Sequence, residues 1–300
     1  MSSSSHRHCR YDPATAGWAS LPRDILLDVF LKLGPREVML GAEFACLAWR
    51  RTALEEPSLW RRIGMESPSH CWPWRCVNRD IEAVMMSAAV DRAAGQCEAF
   101  KGSCDEESLI PLVERAPSLK SLDIELHSIY WGYDDRSGEV LVEALKKLTL
   151  LEDLHIYFHY AIDWEQINML QSVCQAYPRL KKLVMMYASG IVLQRNEDEY
   201  NKEPIDGEIP VMGDLHTLEL YDCDLSCKGL NAILDSCPAL QNLHIDGYFN
   251  KQEMVKELKM KCARVKNLTL PGRVKPGPKV DVYYGNYWDG YDSVDEDNDL

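Results

Sequence analysis

Histidines and cysteines are the residues of this chain whose chemistry could support catalysis or metal binding. Two groups of them are closely spaced: His6, His8 and Cys9 in a serine-rich end, and His70, Cys71 and Cys76. Neither group has the second Cys-x-x-Cys or His-x-x-x-His half that a tetrahedral zinc site requires. We therefore expect no metal site and no cofactor.

Catalytic motifs are also missing from the sequence. It contains no His-Glu-x-x-His and no Gly-x-Ser-x-Gly, and the Gly272–Gly277 segment is followed by Pro278-Lys279 instead of the Lys-Ser or Lys-Thr of a phosphate-binding loop. His155 and His244 stand far apart in the chain, without a neighbouring base or nucleophile signature. The sequence thus predicts a non-catalytic protein that acts by binding.

The chain is acidic, because its 300 residues carry a formal net charge of −14. Such a charge disfavours nucleic-acid binding, which depends on clustered cations that displace counterions. No stretch of about 18 apolar residues could span a membrane, and the serine-rich start lacks the apolar core of a secretion signal. We expect a protein of the cytoplasm or nucleus, whose eleven cysteines are reduced thiols.

The apolar residues that would position a binding surface recur in a fixed pattern. Leu215, Leu218, Leu220, Cys223 and Leu225 occupy every apolar position of L-x-x-L-x-L-x-x-[N/C]-x-L, the leucine-rich-repeat signature. Leu218 and Leu220 would alternate inward on a strand, and a short helix would return the chain to the next strand. Because one repeat cannot bury its apolar side alone, this copy implies neighbours.

Five further copies accompany that one. Their first position and two inward strand residues are Leu119, Leu122 and Ile124; Leu151, Leu154 and Ile156; Leu180, Leu183 and Met185; Leu240, Leu243 and Ile245; and Val265, Leu268 and Leu270. A weaker copy at 97–102 precedes them, and Pro117, Pro178 and Pro238 stop the returning helices. The alternative is that these are scattered core leucines of an ordinary α/β domain, and the six copies in register favour the repeats over it. The predicted fold class is α/β, a leucine-rich-repeat solenoid with a curved parallel sheet and helices outside.

Residues 17–64 have helical periodicity instead. The apolar side chains of a first helix follow 3.6-residue spacing: Ile25, Leu26, Val29, Phe30 and Leu33. Leu21-Pro22 opens that helix, Gly34-Pro35 ends it and starts a second, and a third apolar run follows at 44–49. Three short helices form a core that is marginal alone, so we expect a partner to cover an apolar face. The alternative is that these residues merely pack a helical domain.

At these residues the chain resembles an F-box. The family pattern runs Leu-Pro, an aliphatic helix, [Val/Ala]-Cys-x-x-Trp-Arg and Pro-x-Leu-Trp, and the chain supplies Leu21-Pro22, Ile25–Leu33, Ala45–Arg50 and Pro57–Trp60. The segments 33–38 and 88–96 look like those of plant F-box/leucine-rich-repeat proteins. Leu47 departs from the pattern, since many boxes carry Lys or Arg there, and this difference bears on affinity for the adaptor but not on the fold.

The resemblance implies the substrate-recognition adaptor of a Skp-cullin-F-box ubiquitin ligase. The F-box would bind a Skp-type linker and through it a cullin and a RING subunit. The repeats would hold an unknown protein substrate, whose ubiquitination for proteasomal degradation depends on proximity. By carry-over, the residues that would contact the linker or brace that interface are Leu21, Pro22, Leu26, Phe30, Leu33, Cys46 and Trp49. The alternative is a leucine-rich-repeat interaction scaffold that acts outside ubiquitination.

Strand alternation predicts which side chains point away from the core, along the concave face of the solenoid. Substrate contacts are expected there from Asp123, His155, Tyr157, Met186, Glu219, Tyr221 and His244. The acidic members would favour a basic substrate segment through charge complementarity. For any single residue, a solvated sheet face without a partner is the alternative.

These patterns divide the chain into five segments. They are a disordered N-terminus (1–16), the F-box (17–64), a connecting helical segment (65–95), the repeats (96–272, about six to seven) and an acidic disordered tail (273–300). Two insertions interrupt the repeats: an aromatic one at 130–133 and an acidic one at 188–213, which would also favour a basic substrate.

Overall fold

A computed structural model of the chain describes residues 17–64, 79–126, 137–158, 169–186, 209–249 and 251–271. Several sequence predictions lie outside these residues. They are the N-terminus 1–16, the group of His70, Cys71 and Cys76, the aromatic insertion 130–133, most of the acidic insertion 188–213, and the tail 273–300.

Eight parallel strands form one sheet, and their order in the sheet is their order in the chain. The strands are β1 (Arg62–Gly64), β2 (Ala99–Cys104), β3 (Ser121–Leu126), β4 (Asp153–Phe158), β5 (Lys182–Met186), β6 (Thr217–Asp224), β7 (Asn242–Tyr248) and β8 (Asn267–Thr269). Every strand pairs in parallel with the next. The predicted α/β repeat fold is confirmed, and the weak copy at 97–102 corresponds to β2.

Helices precede the sheet and return the chain between its strands. The α-helices of the described residues are α1 (Arg23–Leu33), α2 (Pro35–Leu40), α3 (Leu47–Glu55), α4 (Arg79–Arg92), α5 (Glu106–Arg115), α6 (Ser137–Leu145), α7 (Met169–Ala176), α8 (Cys227–Ser236) and α9 (Lys256–Cys262). As predicted, Pro117, Pro178 and Pro238 each follow the end of a returning helix. Gly34, with a φ of 84°, separates α1 from α2.

Inward side chains of successive strands form two continuous rows in the core. The first row is Phe100, Leu122, Leu154, Leu183, Leu218 and Leu243, and the second is Ile124, Ile156, Met185, Leu220 and Ile245. None of these side chains is more than 3% exposed. Because burying one such side chain contributes about 1.5–3 kcal/mol, the two rows are a principal source of stability, and they require the strands to keep one register.

Charged residues just before the strands line one edge of the sheet with alternating sign. Glu98 accepts from Arg61 and from Lys120 at 3.4 Å each, and Lys181 lies 2.8 Å from Glu152. The backbone N–H of Lys120 also donates to the Glu98 carbonyl, and that of Glu152 to the Lys120 carbonyl. Exposed ion pairs contribute less than about 1 kcal/mol each, so these pairs add little to the free energy of folding. Their alternating signs favour the correct register between neighbouring strands.

Gly247 allows a close approach between β6 and β7. The register between these strands shifts between Leu220 and Cys223, and Gly247 has a φ of 141°. A Cβ atom added to Gly247 would lie 1.7 Å from the Cys223 carbonyl oxygen. This position therefore requires glycine for two reasons, its backbone conformation and the absence of space.

We predict that Gly247→Ala lowers the free energy of unfolding by about 2 kcal/mol or more, because the backbone must move out of a conformation that alanine disfavours. Chemical denaturation of the full chain measures this loss. Gly213→Ala is the matched control, since a Cβ there meets no atom within 4 Å, and its effect should stay below about 1 kcal/mol. Equal midpoints for the two variants would contradict the prediction.

Candidate functional site

The helices before the sheet pack around the rings of Phe30 and Trp49. The two rings meet edge to face with centroids 5.6 Å apart, and Trp49 Nε1 donates a 3.0 Å hydrogen bond to the Trp18 carbonyl. Leu26 and Phe30 are 3% and 1% exposed. Their side chains fill the interior of the module, and of the two roles predicted for them, contact with the linker or bracing of that interface, this burial fits only bracing, which stays a prediction.

The remaining predicted linker residues reach the surface of the helical module to different degrees. Leu21, Cys46 and Trp49 are half-buried, whereas Pro22 and Leu33 are exposed. Their contact with a linker stays a prediction. The different exposed fractions of these side chains nevertheless separate residues that a partner could touch from residues buried below the surface. Helical periodicity alone did not give this distinction.

Several large apolar side chains of residues 17–64 are exposed. We call this set the box surface, and its members are Trp18, Ile25, Leu31, Leu33, Leu40, Phe44, Leu47 and Leu54. Leu47 is the most exposed at 84%, and together with Phe44 and Cys46 it lines a shallow groove bordered by Glu43 and Arg50. Single exposed apolar residues are ordinary, but eight of them in one small module are typical of a surface that a partner covers.

Sequence reasoning did not identify Trp18 and Leu40 as candidates for this surface. Trp18 precedes the first predicted helix, and Leu40 ends the six-residue α2. A helical period needs several turns to define a face, so neither position carried a usable signal. Their exposure follows from how the short helices pack against one another.

A buried ion pair joins the helical module to α4, the helix that precedes β2. Arg92, at the end of α4, places Nη1 2.7 Å from Glu43 Oε2, with side chains 15% and 9% exposed. The Arg92 guanidinium also lies 4.9 Å from the centre of the Trp60 ring. Trp60 Nε1 in turn donates a 2.9 Å hydrogen bond to the Ala53 carbonyl. Because β1 follows Trp60 and is the first strand of the sheet, module and repeats share one framework.

We predict that Glu43→Ala lowers the free energy of unfolding by about 3 kcal/mol, because it leaves the largely buried Arg92 without its carboxylate. Glu55→Ala is the control within the same module. Glu55 forms an exposed pair with Arg51 at 3.9 Å, so its loss should cost less than about 1 kcal/mol. Denaturant titrations of both variants test this prediction. A Glu43→Ala midpoint equal to that of Glu55→Ala would contradict a stabilising role of the Glu43–Arg92 ion pair.

Outward side chains of the sheet form two further rows, which we call the open face. From β2 to β7 the lower row is Lys101, Asp123, His155, Val184, Glu219 and His244. From β2 to β6 the upper row is Ser103, Glu125, Tyr157, Met186 and Tyr221, and the exposed Asp246 of β7 lies at the register shift between β6 and β7. All seven predicted substrate residues lie in these rows, so the structure brings them together. Val184 also occupies an outward position by strand alternation, but it is only 3% exposed. A role in substrate binding remains a prediction for each residue.

An ion cluster occupies one end of the lower row. Asp123 lies 3.3 Å from His155 Nδ1 and 3.7 Å from Lys101 Nζ. Burial acts to raise the pKa of Asp123, but the hydrogen bond from His155 and the positive charges of His155 and Lys101 outweigh it and lower that pKa. Asp123 is therefore a carboxylate, and its partners His155 and Lys101 offset its negative charge within the open face.

Tyr221 links the two rows at the other end. Its hydroxyl donates a 2.8 Å hydrogen bond to Glu219 Oε2, and its ring packs on His244 with centroids 4.9 Å apart. Burial, followed by the hydrogen bond to Glu219, raises the pKa of Tyr221 to about 12. Tyr221 therefore keeps its proton at neutral pH and acts as an aromatic contact surface.

The buried cysteine thiols of the described residues have raised pKa values and therefore low reactivity. Burial raises the pKa of Cys97 to about 11 and the pKa values of Cys104, Cys174 and Cys237 to about 12. At neutral pH these side chains are protonated and pack as small apolar groups. Within the described ranges, no three His, Cys, Asp or Glu residues gather as a metal site. Those ranges also hold no helix of the length and apolarity that a membrane crossing requires.

Comparisons with known proteins agree with this division. Residues 18–66 match a family model described as F-box-like. Over 264 residues the chain is 31% identical to Putative F-box/LRR-repeat protein 22 of Arabidopsis thaliana, covering 86% of this chain and 78% of that protein. It is 29% identical to Putative F-box/LRR-repeat protein 23, also from Arabidopsis thaliana, covering 87% of this chain but only 54% of the relative. F-box protein SKIP19 of the same plant is 27% identical over 252 residues, which are 83% of this chain and 74% of that protein.

Proposed function

Because this chain belongs to the plant F-box/LRR-repeat family, we propose that it is the substrate-recognition subunit of a Skp-cullin-F-box ubiquitin ligase. The box surface binds a Skp-type linker, which connects the chain to a cullin and a RING subunit. The open face of the sheet binds a protein substrate. The chain supplies no catalytic group and acts by holding the substrate near the ubiquitin-carrying enzyme.

The observation that carries this proposal is the set of exposed apolar side chains on the box. Leu47 and Phe44 are 84% and 64% exposed, and both border the groove beside Cys46. Interfaces bury apolar and aromatic side chains in a central cluster, and such a cluster is open to a partner here.

The ion pair between Glu43 of the box and Arg92 of α4 supports the same role. Glu43, which borders the groove, is also the residue that pairs with Arg92 of α4. Transfer to a substrate lysine depends on a fixed distance between the docked linker and the bound substrate. A direct ionic connection from the groove to α4, the helix before the repeats, reinforced by the pairing of β1 with β2, would hold that distance.

We predict that Leu47→Glu weakens binding to a Skp-type linker by at least tenfold, because a carboxylate would be buried in an apolar interface. Calorimetry with the purified full chain and a plant linker measures the affinity. The melting temperature should not change, since Leu47 is largely exposed. Met260→Glu on α9 is the matched control, because Met260 is 75% exposed and lies in the last repeat.

The double variant Leu21→Ala/Pro22→Ala tests the Leu-Pro start of the box in the same assay and should also lose linker binding. If the unmodified chain does not bind the linker, or if both box variants bind as well as Met260→Glu, the ligase assignment fails. That result would favour the scaffold alternative, in which the helical module serves another pairing.

A further inference from the structure

We propose that the edge of the sheet where β5 to β8 begin binds an extended acidic segment of the protein substrate, rich in Asp or Glu, that runs across the strands. We call this part of the molecule the basic edge. The proposal rests on the proposed function for the fate of the bound segment. The binding itself rests on the charges and hydrogen-bond donors at these four strand starts.

The balance of charge differs between the two halves of the sheet. For each strand, the first residue and the three residues before it are compared. The starts of β1 to β4 hold three basic and three acidic residues: Arg61, Arg62, Lys120, Glu98, Glu152 and Asp153. The starts of β5 to β8 hold the exposed acidic residue Asp214 and five exposed basic residues: Arg179, Lys181, Lys182, Arg264 and Lys266. The second half of this edge is therefore basic, in a chain of net charge −14.

Two lysines of the basic edge have no carboxylate partner among the described residues. Lys181 lies 2.8 Å from Glu152, but Lys266 Nζ donates a 3.1 Å hydrogen bond to the neutral Gln241 Oε1. Lys182 forms neither a hydrogen bond nor an ion pair with another described residue. The positive charges of Lys182 and Lys266 are thus available to a negatively charged partner.

A row of polar side chains runs along the basic edge. Lys182, Thr217, Asn242 and Asn267 are register neighbours on β5 to β8, and we call them the donor row. Asn267 Nδ2 donates a 2.7 Å hydrogen bond to Asn242 Oδ1. Asn242 Nδ2 in turn donates a 3.0 Å hydrogen bond to Thr217 Oγ1. The bonds within the row therefore all run in one direction.

These bonds occupy acceptor oxygens and leave donors available. Asn242 and Thr217 each accept within the row, whereas each asparagine amide uses one of its two N–H groups. The second N–H groups, the Thr217 hydroxyl proton and the Lys182 ammonium have no partner in the described part of the chain. A carboxylate only accepts hydrogen bonds, and it forms stronger ones than a neutral group does. The donor row therefore favours a carboxylate over a neutral or basic group.

The spacing of the strands sets the length of the bound segment. Neighbouring strands lie about 4.8 Å apart, so the donor row is about 14 Å long. An extended chain advances about 3.3 Å per residue, so about five residues would span the row. At physiological salt, charges more than about 8 Å apart are largely screened. The local excess of basic residues therefore matters more for this segment than the distant acidic residues of the chain.

The acidic residues of the open face lie further along the strands and are engaged there. Asp123 is paired with His155 and Lys101, and Glu219 accepts the hydrogen bond of Tyr221. The basic substrate segment expected from the sequence would meet the cations of the basic edge if it crossed the strand starts. The two alternatives thus predict opposite peptide preferences.

Fluorescence anisotropy tests the proposal with the full chain and the labelled peptide GSDEDEDSG. We expect saturable binding that weakens as salt is raised. Two control peptides should bind at least tenfold more weakly. GSNQNQNSG replaces every carboxylate by an amide of the same shape, and GSKRKRKSG reverses the charge. An oligothymidylate of equal charge should bind no more tightly than the acidic peptide.

Two double variants connect the binding to the basic edge. Lys182→Gln/Lys266→Gln should weaken peptide binding about tenfold, because two charge contacts of up to about 1 kcal/mol each are lost. Lys256→Gln/Lys259→Gln makes the same change in net charge on α9, where both lysines are exposed, and should alter the affinity less than twofold.

A single variant tests the donor row separately from the lysines. Asn242→Asp places a carboxylate in the middle of the row, and we expect it to weaken peptide binding at least tenfold through repulsion of the peptide's own carboxylates. Its affinity for a Skp-type linker should stay within twofold of that of the unmodified chain, because the change lies in the repeats.

Absence of saturable binding, equal affinity for the amide or basic peptide, tighter binding of the oligothymidylate, or equal losses in both double variants would overturn the proposal. Linker binding is measured on the same protein preparation. If the linker binds and the acidic peptide does not, the inference about the basic edge fails while the ligase assignment stands. If the peptide binds and the linker does not, the reverse holds.

Discussion

Burial of leucines between stacked repeats is the interaction on which the rest of this structure depends. A single strand and helix cannot cover their own apolar side, so each repeat is stable only against its neighbours. Parallel pairing in one register, as from β2 to β5, places inward side chains in rows such as Leu122, Leu154 and Leu183. The same register places the outward side chains in rows. The buried core and the outward rows of side chains are thus two consequences of one pairing pattern.

The first strand of the stack belongs to the helical box. Ile63 of β1 is buried against β2, and the Glu43–Arg92 pair with Trp60 adds a second connection close by. Two attachments at different places restrict rotation in a way that a single linker would not. In the proposed function, one partner is held near another, and this restriction would keep the two at a fixed distance. The Glu43–Arg92 ion pair is therefore as relevant to the proposed role as either proposed binding surface.

The inward and outward rows differ in composition because they meet different requirements. Inward positions accept only side chains that pack, and leucine or isoleucine fills most of them. Outward positions are constrained by no core, so charged, aromatic and sulfur-containing side chains stand side by side there. Their mutual contacts, such as Asp123 with His155 and Tyr221 with Glu219, use part of this chemistry within the face.

The sequence by itself determined three features: the repeat fold, the strands β3 to β8 with an indication of β2, and the direction of their side chains. It could do so because in–out alternation and helix-stopping prolines are properties of neighbouring residues. It missed β1, whose three residues are too few for a pattern and form a strand only by pairing with Ala99–Lys101. It could not separate the buried Leu26 and Phe30 from the exposed Leu33, nor find the Glu43–Arg92 pair, whose members are 49 positions apart. Only the tertiary structure decided these points, because burial and ion pairing depend on which distant segments meet in space.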